Sequence, residues 1–288
     1  MQDNAPLPWL PLTRALLRPP VGELTESKAV SEWGYRRPRL LADALAQHQQ
    51  FKSLLEAADV QVDMLEAAPS ELVDSCYACD PALVAPGGLL ILRPAKGARL
   101  AEIDLMLRSA HELGLNICGR ILEPGNIEGG DCLWLDANTL AVGETYRSNR
   151  SGIIQLRFLL PSVQVLAIPM VHHNGPEECL HLQSIISFVD EKMTVVYMPL
   201  APVRLLHALQ ERSVQILPLP LEDFDSLGCN ILCVAPGKVI MASGNASTVS
   251  MLEAAGIEVT TLEADDLMWV GNGGPTCLTL ALERRATD

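Results

Sequence analysis

Five short apolar or alternating runs recur along the chain: Val60-Gln61-Val62-Asp63-Met64-Leu65, Leu115-Asn116-Ile117-Cys118, Val163-Gln164-Val165-Leu166, Val214-Gln215-Ile216-Leu217 and Ile257-Glu258-Val259-Thr260. Each has the pattern of a half-buried or buried strand. A stretch with helical spacing precedes every copy. In 41–58 the stripe is Leu41, Ala44, Leu45, His48, Phe51, Leu54 and Leu55, and 101–113, 151–160, 203–212 and 248–255 read similarly. Gly114 and Gly256 stand where a helix C-cap glycine belongs. Between these modules lie further extended runs, 83–92, 133–142, 194–199 and 231–242. Pro86-Gly87-Gly88 and Ala235-Pro236-Gly237-Lys238 interrupt two of them as hairpin turns would, and Asp136-Ala137-Asn138 and Asp190-Glu191-Lys192 hold the same place in two other modules.

The predicted unit is therefore a strand, a hairpin and a helix, repeated about every 50 residues. Five units closing into a ring would set their loops around a central channel, a natural place for polar groups to converge. A doubly wound parallel sheet would alternate one strand with one helix, and this chain has too many strands per helix for that. No low-complexity linker separates the modules, so residues 1–288 are expected to form a single domain.

Composition narrows the class. Hydrophobic residues make up 49% of the chain, ample for a sizeable core. No run approaches the roughly 20 uninterrupted apolar residues of a membrane span, and residues 1–12 lack the basic start and apolar run of a secretory signal. The net charge of −14 argues against nucleic-acid and anionic-membrane partners. It serves solubility, and it would also concentrate a cationic ligand. The eight cysteines, with Cys118, Cys132, Cys229 and Cys233 inside apolar segments, are not a disulfide framework and point to a reducing cytoplasm.

Chemistry-bearing residues are scattered in sequence. Cys277 follows Asn272-Gly273-Gly274 and precedes the strand-like 278–282, a setting for a nucleophile as well as for a structural thiol. His181 lies at the start of a strand or turn before 185–188, where it is either a core histidine or a proton carrier. Asp80 and Glu128 could meet a planar cation such as a guanidinium edge-on, while Glu128-Gly129-Gly130-Asp131 read by itself is an ordinary acidic turn before the Cys132 strand. Metal sites are not expected. Adjacent His172 and His173, near Glu177 and Glu178, rarely face one ion together, and Cys76, Cys79, Cys229 and Cys233 sit in strand-like runs rather than knuckle turns.

Taken in order, Asp74 and Asp80, Glu128-Gly129-Gly130-Asp131, His181 and Gly273-Gly274-Pro275-Thr276-Cys277 resemble the guanidine-modifying superfamily of arginine deiminases, amidinotransferases and dimethylarginine dimethylaminohydrolases. The chain is most similar to the last of these, from about residue 13 to 281. Arg14 to Pro19 looks like the first strand, Asp74 to Asp80 like the substrate segment, and Leu92-Arg93-Pro94 through Arg99 and 143–149 like the arginine-bearing segments. The resemblance implies a five-bladed α/β propeller, or pentein, with pseudo-fivefold repeats. It implies that Cys277 attacks a guanidino carbon and that His181 protonates the departing amine and then activates water. It also implies that Asp80 and Glu128 hold the guanidinium, Asp74 faces an α-amino group, Arg99 and Arg147 clamp a carboxylate, and Leu24 and Gly271 line the site.

The expected activity is conversion of N-methylated arginine to citrulline and a methylamine, by hydrolysis of a linear amidine C–N bond. Arginine itself or another guanidino compound is the alternative substrate, and a non-catalytic guanidine-binding protein the non-enzymatic one. No cofactor and no metal are expected, a homodimer is allowed, and the location is cytoplasmic. Two positions depart from pattern. Cys79 stands where the dimethylarginine enzymes carry a glutamate, and Gln183 where deiminases and amidinotransferases carry an aspartate. Gly273-Gly274-Pro275 leans toward the deiminases. The segment 20–38, rich in charge, reads either as a solvated loop or as a cover for the channel.

Overall fold

The central strands of each repeat are nearly continuous apolar runs, whereas the recurring strands first picked out by pattern alternate, and burial explains the contrast. A computed structural model describes residues 6–24, 30, 33–176 and 179–285. It contains β1 (Leu12–Leu17), α1 (Leu41–Ala57), β2 (Gln61–Met64), β3 (Ala82–Ala85), β4 (Gly88–Ile91), α2 (Glu102–Glu112), β5 (Ile117–Arg120), β6 (Cys132–Asp136) and β7 (Thr139–Glu144). There follow α3 (Arg150–Leu159), β8 (Gln164–Pro169), β9 (Ile186–Asp190), β10 (Met193–Val196), α4 (Val203–Glu211), β11 (Gln215–Pro218), β12 (Ile231–Ala235), β13 (Lys238–Ala242), α5 (Ala246–Ala254), β14 (Glu258–Leu262), a single-turn α6 (Pro275–Leu278) and β15 (Leu280–Arg284).

These strands form five three-stranded sheets, β3-β4-β5, β6-β7-β8, β9-β10-β11, β12-β13-β14 and β15-β1-β2. In each, an antiparallel pair is followed by a helix and a third strand parallel to the second. This is the expected α/β propeller of five blades. The fifth blade is built from both chain ends, with Ala15 opposite Ala281 in the β1–β15 pair, which closes the ring. All four residues of β4 are buried, while β2 and β5 expose both ends. Inner strands are thus covered on both faces and outer strands on one, giving the two sequence patterns.

Adjacent blades bury side chains against one another. Leu133 and Leu135 of β6 share a cluster with Phe188 of β9 and Ile231 of β12, and Leu83 and Ala85 of β3 share another with Trp134 and Leu140. Leu16 of β1 packs with Leu89 and Ile91 of β4, and Leu12 with Leu232 and Ile240, so the packing runs round the whole ring. Each fully buried Leu, Ile or Phe contributes about 1.5–3 kcal/mol through lost apolar exposure. The helices end as anticipated at Gly114 and Gly256, whose φ values of +63° and +84° suit glycine far better than residues carrying a Cβ. Among the described residues, no helix is long and apolar enough to cross a membrane.

Candidate active site

One residue comes from just before the first strand of every blade: Asp80 before β3, Glu128 before β6, His181 before β9, Asn230 before β12 and Cys277 before β15. The repeat therefore delivers five polar side chains to the same end of the ring. Loops leaving the second strands add Lys96 and Arg99 after β4, Arg147 after β7 and Trp33 after β1. A cavity of about 80 Å³ is lined by Asp74, Asp80, Glu128, His181 and Cys277 together with Lys96, Arg99, Arg147, Cys179, Trp33 and Gly271.

Cys277 is half-buried on α6 and its sulfur accepts a hydrogen bond from Asn230 Nδ2 at 3.1 Å. The Asn230 amide is itself anchored, because its Oδ1 accepts from Thr276 N at 3.0 Å and Thr276 Oγ1 at 2.6 Å. A hydrogen bond from the Cys79 thiol pulls the Cys277 pKa down most strongly, with help from Asn230 and His181 and against burial and Asp80, to about 7. The Cys79 thiol is pushed well up by the same hydrogen bond, by burial and by Asp80, and stays a protonated donor. The contrast with structural thiols is large. Burial pushes Cys76 and Cys229 up to about 12 and Cys233 to about 11.

His181 caps a short turn, Leu182–Ser184, and its Nε2 lies 2.8 Å from Glu128 Oε2. Burial would lower the imidazole pKa, but Cys179, Asp131 and Glu128 outweigh it and hold it well above the ordinary histidine range. Asp131 accepts from Leu182 N at 2.9 Å and from Thr145 Oγ1 at 2.8 Å, tying the His181 turn to its neighbouring blade. Gly130 is needed for contact, since a Cβ there would stand 2.2 Å from His181 Nδ1. The glycines before Cys277 work likewise. A Cβ on Gly274 would meet Asn230 at 2.6 Å, so these glycines make room for protein side chains rather than for a ligand.

Asp80 is buried and accepts from Arg99 Nη1 at 2.6 Å and Gly130 N at 3.1 Å. Burial pushes its pKa up, yet Arg99, His181 and these hydrogen bonds hold it below the usual carboxylate value. Asp74 pairs with Lys96 Nζ at 2.8 Å.

Some expected placements change. Arg99 is buried and already engaged, bonding Glu102 through Nε and Nη2 at 2.8 Å each, Asp80 through Nη1, and the carbonyls of Asp74 and Tyr77. It braces Asp80 instead of standing free for a ligand carboxylate. Glu128, expected on a guanidinium, has Oε2 on His181 and Oε1 accepting from Ala95 N at 2.9 Å. Leu24 packs in a cluster with Val30, Tyr35, Val73 and Val270 and does not line the cavity. Among the described residues Arg147 is a cavity cation with spare donors, its Nη1 4.0 Å from Glu128 and its buried Nε without a partner.

The two departures from pattern have structural readings. The sulfur of Cys79 lies 3.5 Å from Asp80 Oδ1, and Gln183 Nε2 turns away to donate to the carbonyls of Gly129 and Cys132. Of the metal sets considered, His172 bonds Tyr146 and His173 bonds Asn174, while Glu177 and Glu178 fall outside the described residues. A different trio, Glu128, Cys179 and His181, brings its ligand atoms within 4.8 Å of one another, and the Glu128–His181 hydrogen bond spans it. The cover suggested for 20–38 includes 25–29 and 31–32, outside the described residues, although Trp33 and Gly34 do reach the cavity.

A sequence profile of the family described as arginine deiminase matches residues 106–210 and 202–284. The chain belongs to the arginine deiminase family. Enzymes of this family act on amidino C–N bonds of guanidino compounds. Among relatives, N(G),N(G)-dimethylarginine dimethylaminohydrolase of Pseudomonas aeruginosa is 25% identical over 240 residues, covering 83% of this chain and 88% of that protein. The structure of that dimethylarginine enzyme complexed with citrulline superposes with a TM-score of 0.76 at 21% identity, over 94% of this chain and 99% of that one. The N-terminal domain of ArgZ, an arginine dihydrolase of cyanobacteria, superposes at 0.80 and 18% identity, over 94% and 97%. At such identities the superpositions speak for the fold, and they agree on the five-bladed ring.

Proposed function

We propose that the chain is a thiol-dependent hydrolase of a small guanidino compound, with Cys277 as nucleophile and His181 as proton carrier. One observation carries this reading: Cys277, its sulfur hydrogen-bonded by Asn230, and His181, held by the Glu128 carboxylate, face one cavity from different blades. The Cys277 thiolate adds to the guanidino carbon, and the positive charge of the guanidinium favours that addition. His181 gives a proton to the departing nitrogen, the C–N bond breaks, and an amidino-thioether remains. A water then loses a proton to His181 and adds to the same carbon. Collapse of that adduct breaks the C–S bond, leaving a ureido product and returning the proton to sulfur. Asp80, braced by Arg99, accepts N–H donors of the guanidinium, and Glu128 orients and charges His181.

The guanidine end favours a substituted group, as in the N-methylated arginine acted on by the dimethylarginine relative. Gln183 offers no carboxylate where the deiminases carry an aspartate, so a guanidinium with its full set of N–H donors is left with fewer partners, whereas Cys79 departs from the dimethylarginine pattern and weighs the other way. Arginine itself is the second reading, favoured by the family match and by the dihydrolase neighbour. Incubation with dimethylarginine, arginine and other guanidines, with detection of ureido product, tests the proposal. Turnover that disappears in Cys277→Ala is the expected result, and folded wild-type protein inert toward every guanidine would reject it.

A further inference from the structure

Most charges lining the cavity already have partners, and the pattern of what is left describes the far end of the substrate. Asp80 is matched by Arg99, and Glu128 by His181. Asp74, the carboxylate expected to read an α-amino group, is matched too. Lys96 Nζ donates to Asp74 Oδ2 at 2.8 Å and to the carbonyl of Trp33 at 2.8 Å, and sits 4.3 Å from the centre of the Trp33 ring. An ammonium has three N–H donors, so this one is bound much as a ligand ammonium would be, by a carboxylate, a carbonyl and an aromatic face. The pair is well sheltered, the Asp74 side chain being 10% exposed and that of Lys96 18%.

Arg147 is left over. Among the described residues its guanidinium has no ion pair closer than 4.0 Å, and its buried Nε is without a partner. An anionic group would supply the missing acceptor.

We propose that the substrate is an ω-guanidino carboxylic acid without an α-ammonium group, its carboxylate received by Arg147 and the Asp74 position filled by Lys96. This rests on the proposed hydrolase reading and deepens it at the end away from the reacting carbon. An α-amino acid would have to evict Lys96 from a carboxylate, a carbonyl and a ring face, or leave its own ammonium beside another. Loss of the cation–π contact alone costs about 0.5–2 kcal/mol, from about twofold to about thirtyfold in binding.

The test compares 5-guanidinopentanoate with L-arginine, which differs from it only by the α-amino group, and with agmatine, which lacks the carboxylate. Each is used plain and N,N-dimethylated, on wild-type protein and on Lys96→Ala. Wild type is expected to show kcat/KM about tenfold or more higher for 5-guanidinopentanoate than for the matching arginine, with agmatine poorer than 5-guanidinopentanoate. Lys96→Ala, which frees Asp74, is expected to shift the ratio toward arginine by about tenfold. A ratio of two substrates in one preparation does not depend on how much protein is folded. Turnover with arginine equal to or better than 5-guanidinopentanoate in wild type, or a ratio unmoved in Lys96→Ala, overturns the inference and leaves the hydrolase reading standing. No turnover of any guanidine overturns both.

Discussion

Asn230 offers the sharpest perturbation of the proposed nucleophile, Cys277, because it touches the sulfur without being expected to touch substrate. Its Nδ2 donates to Cys277 Sγ at 3.1 Å, and its amide is fixed by two hydrogen bonds from Thr276. The Cys79 thiol is the larger influence on Cys277, yet a hydrogen bond to a charged acceptor still contributes about 1.5–3 kcal/mol. At 1.36 kcal/mol per pH unit, that is about one to two pH units of acidity. Water admitted to the vacated space restores part of this, so the lower end is expected for Asn230→Ala. With a starting pKa of about 7, half the sulfur is thiolate at neutrality; in the variant the fraction falls below about one tenth. Asn230→Asp keeps the shape but puts a negative charge beside the sulfur, and should suppress the thiolate further. The assay is the pH dependence of Cys277 alkylation by iodoacetamide, read by peptide mass spectrometry, with the half-buried Cys118 as an internal reference thiol. An Asn230→Ala curve that superposes on wild type would refute the reasoning.

Three other outcomes follow from the same geometry. In Glu128→Gln the imidazolium of His181 loses a carboxylate partner, so the alkaline limb of kcat moves to lower pH. Because the folded-state His181 pKa is raised, its charge contributes stability fully below about 6.5 that fades as pH rises through the raised value. Urea midpoints of wild type and Glu128→Gln should therefore differ most at about pH 6 and converge in alkali. Gly130→Ala places a methyl 2.2 Å from His181 Nδ1 and displaces the ring; kcat should fall by about 100-fold or more while far-UV circular dichroism is retained. Phe188→Ala empties a site between blades, 2% exposed and tilted against the Trp9 ring with centroids 4.9 Å apart, and should cost about 3–5 kcal/mol in equilibrium unfolding without altering the pH profile of turnover.

The repeat was visible in the sequence because burial differs between inner and outer strands, leaving two textures in fixed order. Closure of the fifth blade was not visible, since β1 and β15 lie at opposite ends of the chain and only their pairing makes them one sheet. Cys277, His181, Asp80, Asp74, Glu128, Arg99, Arg147 and Gly271 stand out in the sequence and line one cavity. Their partners were harder to read. Asn230 lies in the segment leading into β12 as His181 lies in the segment leading into β9, so the repeat itself was the available signal, masked by the bland turn-like setting of Gly228-Cys229-Asn230. Lys96 on Asp74 and Glu102 on Arg99 are side-chain pairings set by where loops and turns meet, which periodicity does not encode. The same holds for Leu24, whose apolar character sent it into a cluster with Tyr35 and Val73 rather than to the cavity wall.

The central claim is that Cys277 forms a covalent bond to a guanidino carbon. Rapid acid quench of the protein mixed with a plain guanidine or its N,N-dimethylated counterpart, followed by intact-protein and peptide mass spectrometry, tests it directly, with His181→Ala included to slow hydrolysis of the adduct. One and the same mass increment on the Cys277 peptide is expected from both compounds, because only the departing amine differs, and it should persist longer in His181→Ala. Absence of any adduct during turnover, or an adduct that survives in Cys277→Ala, would contradict it.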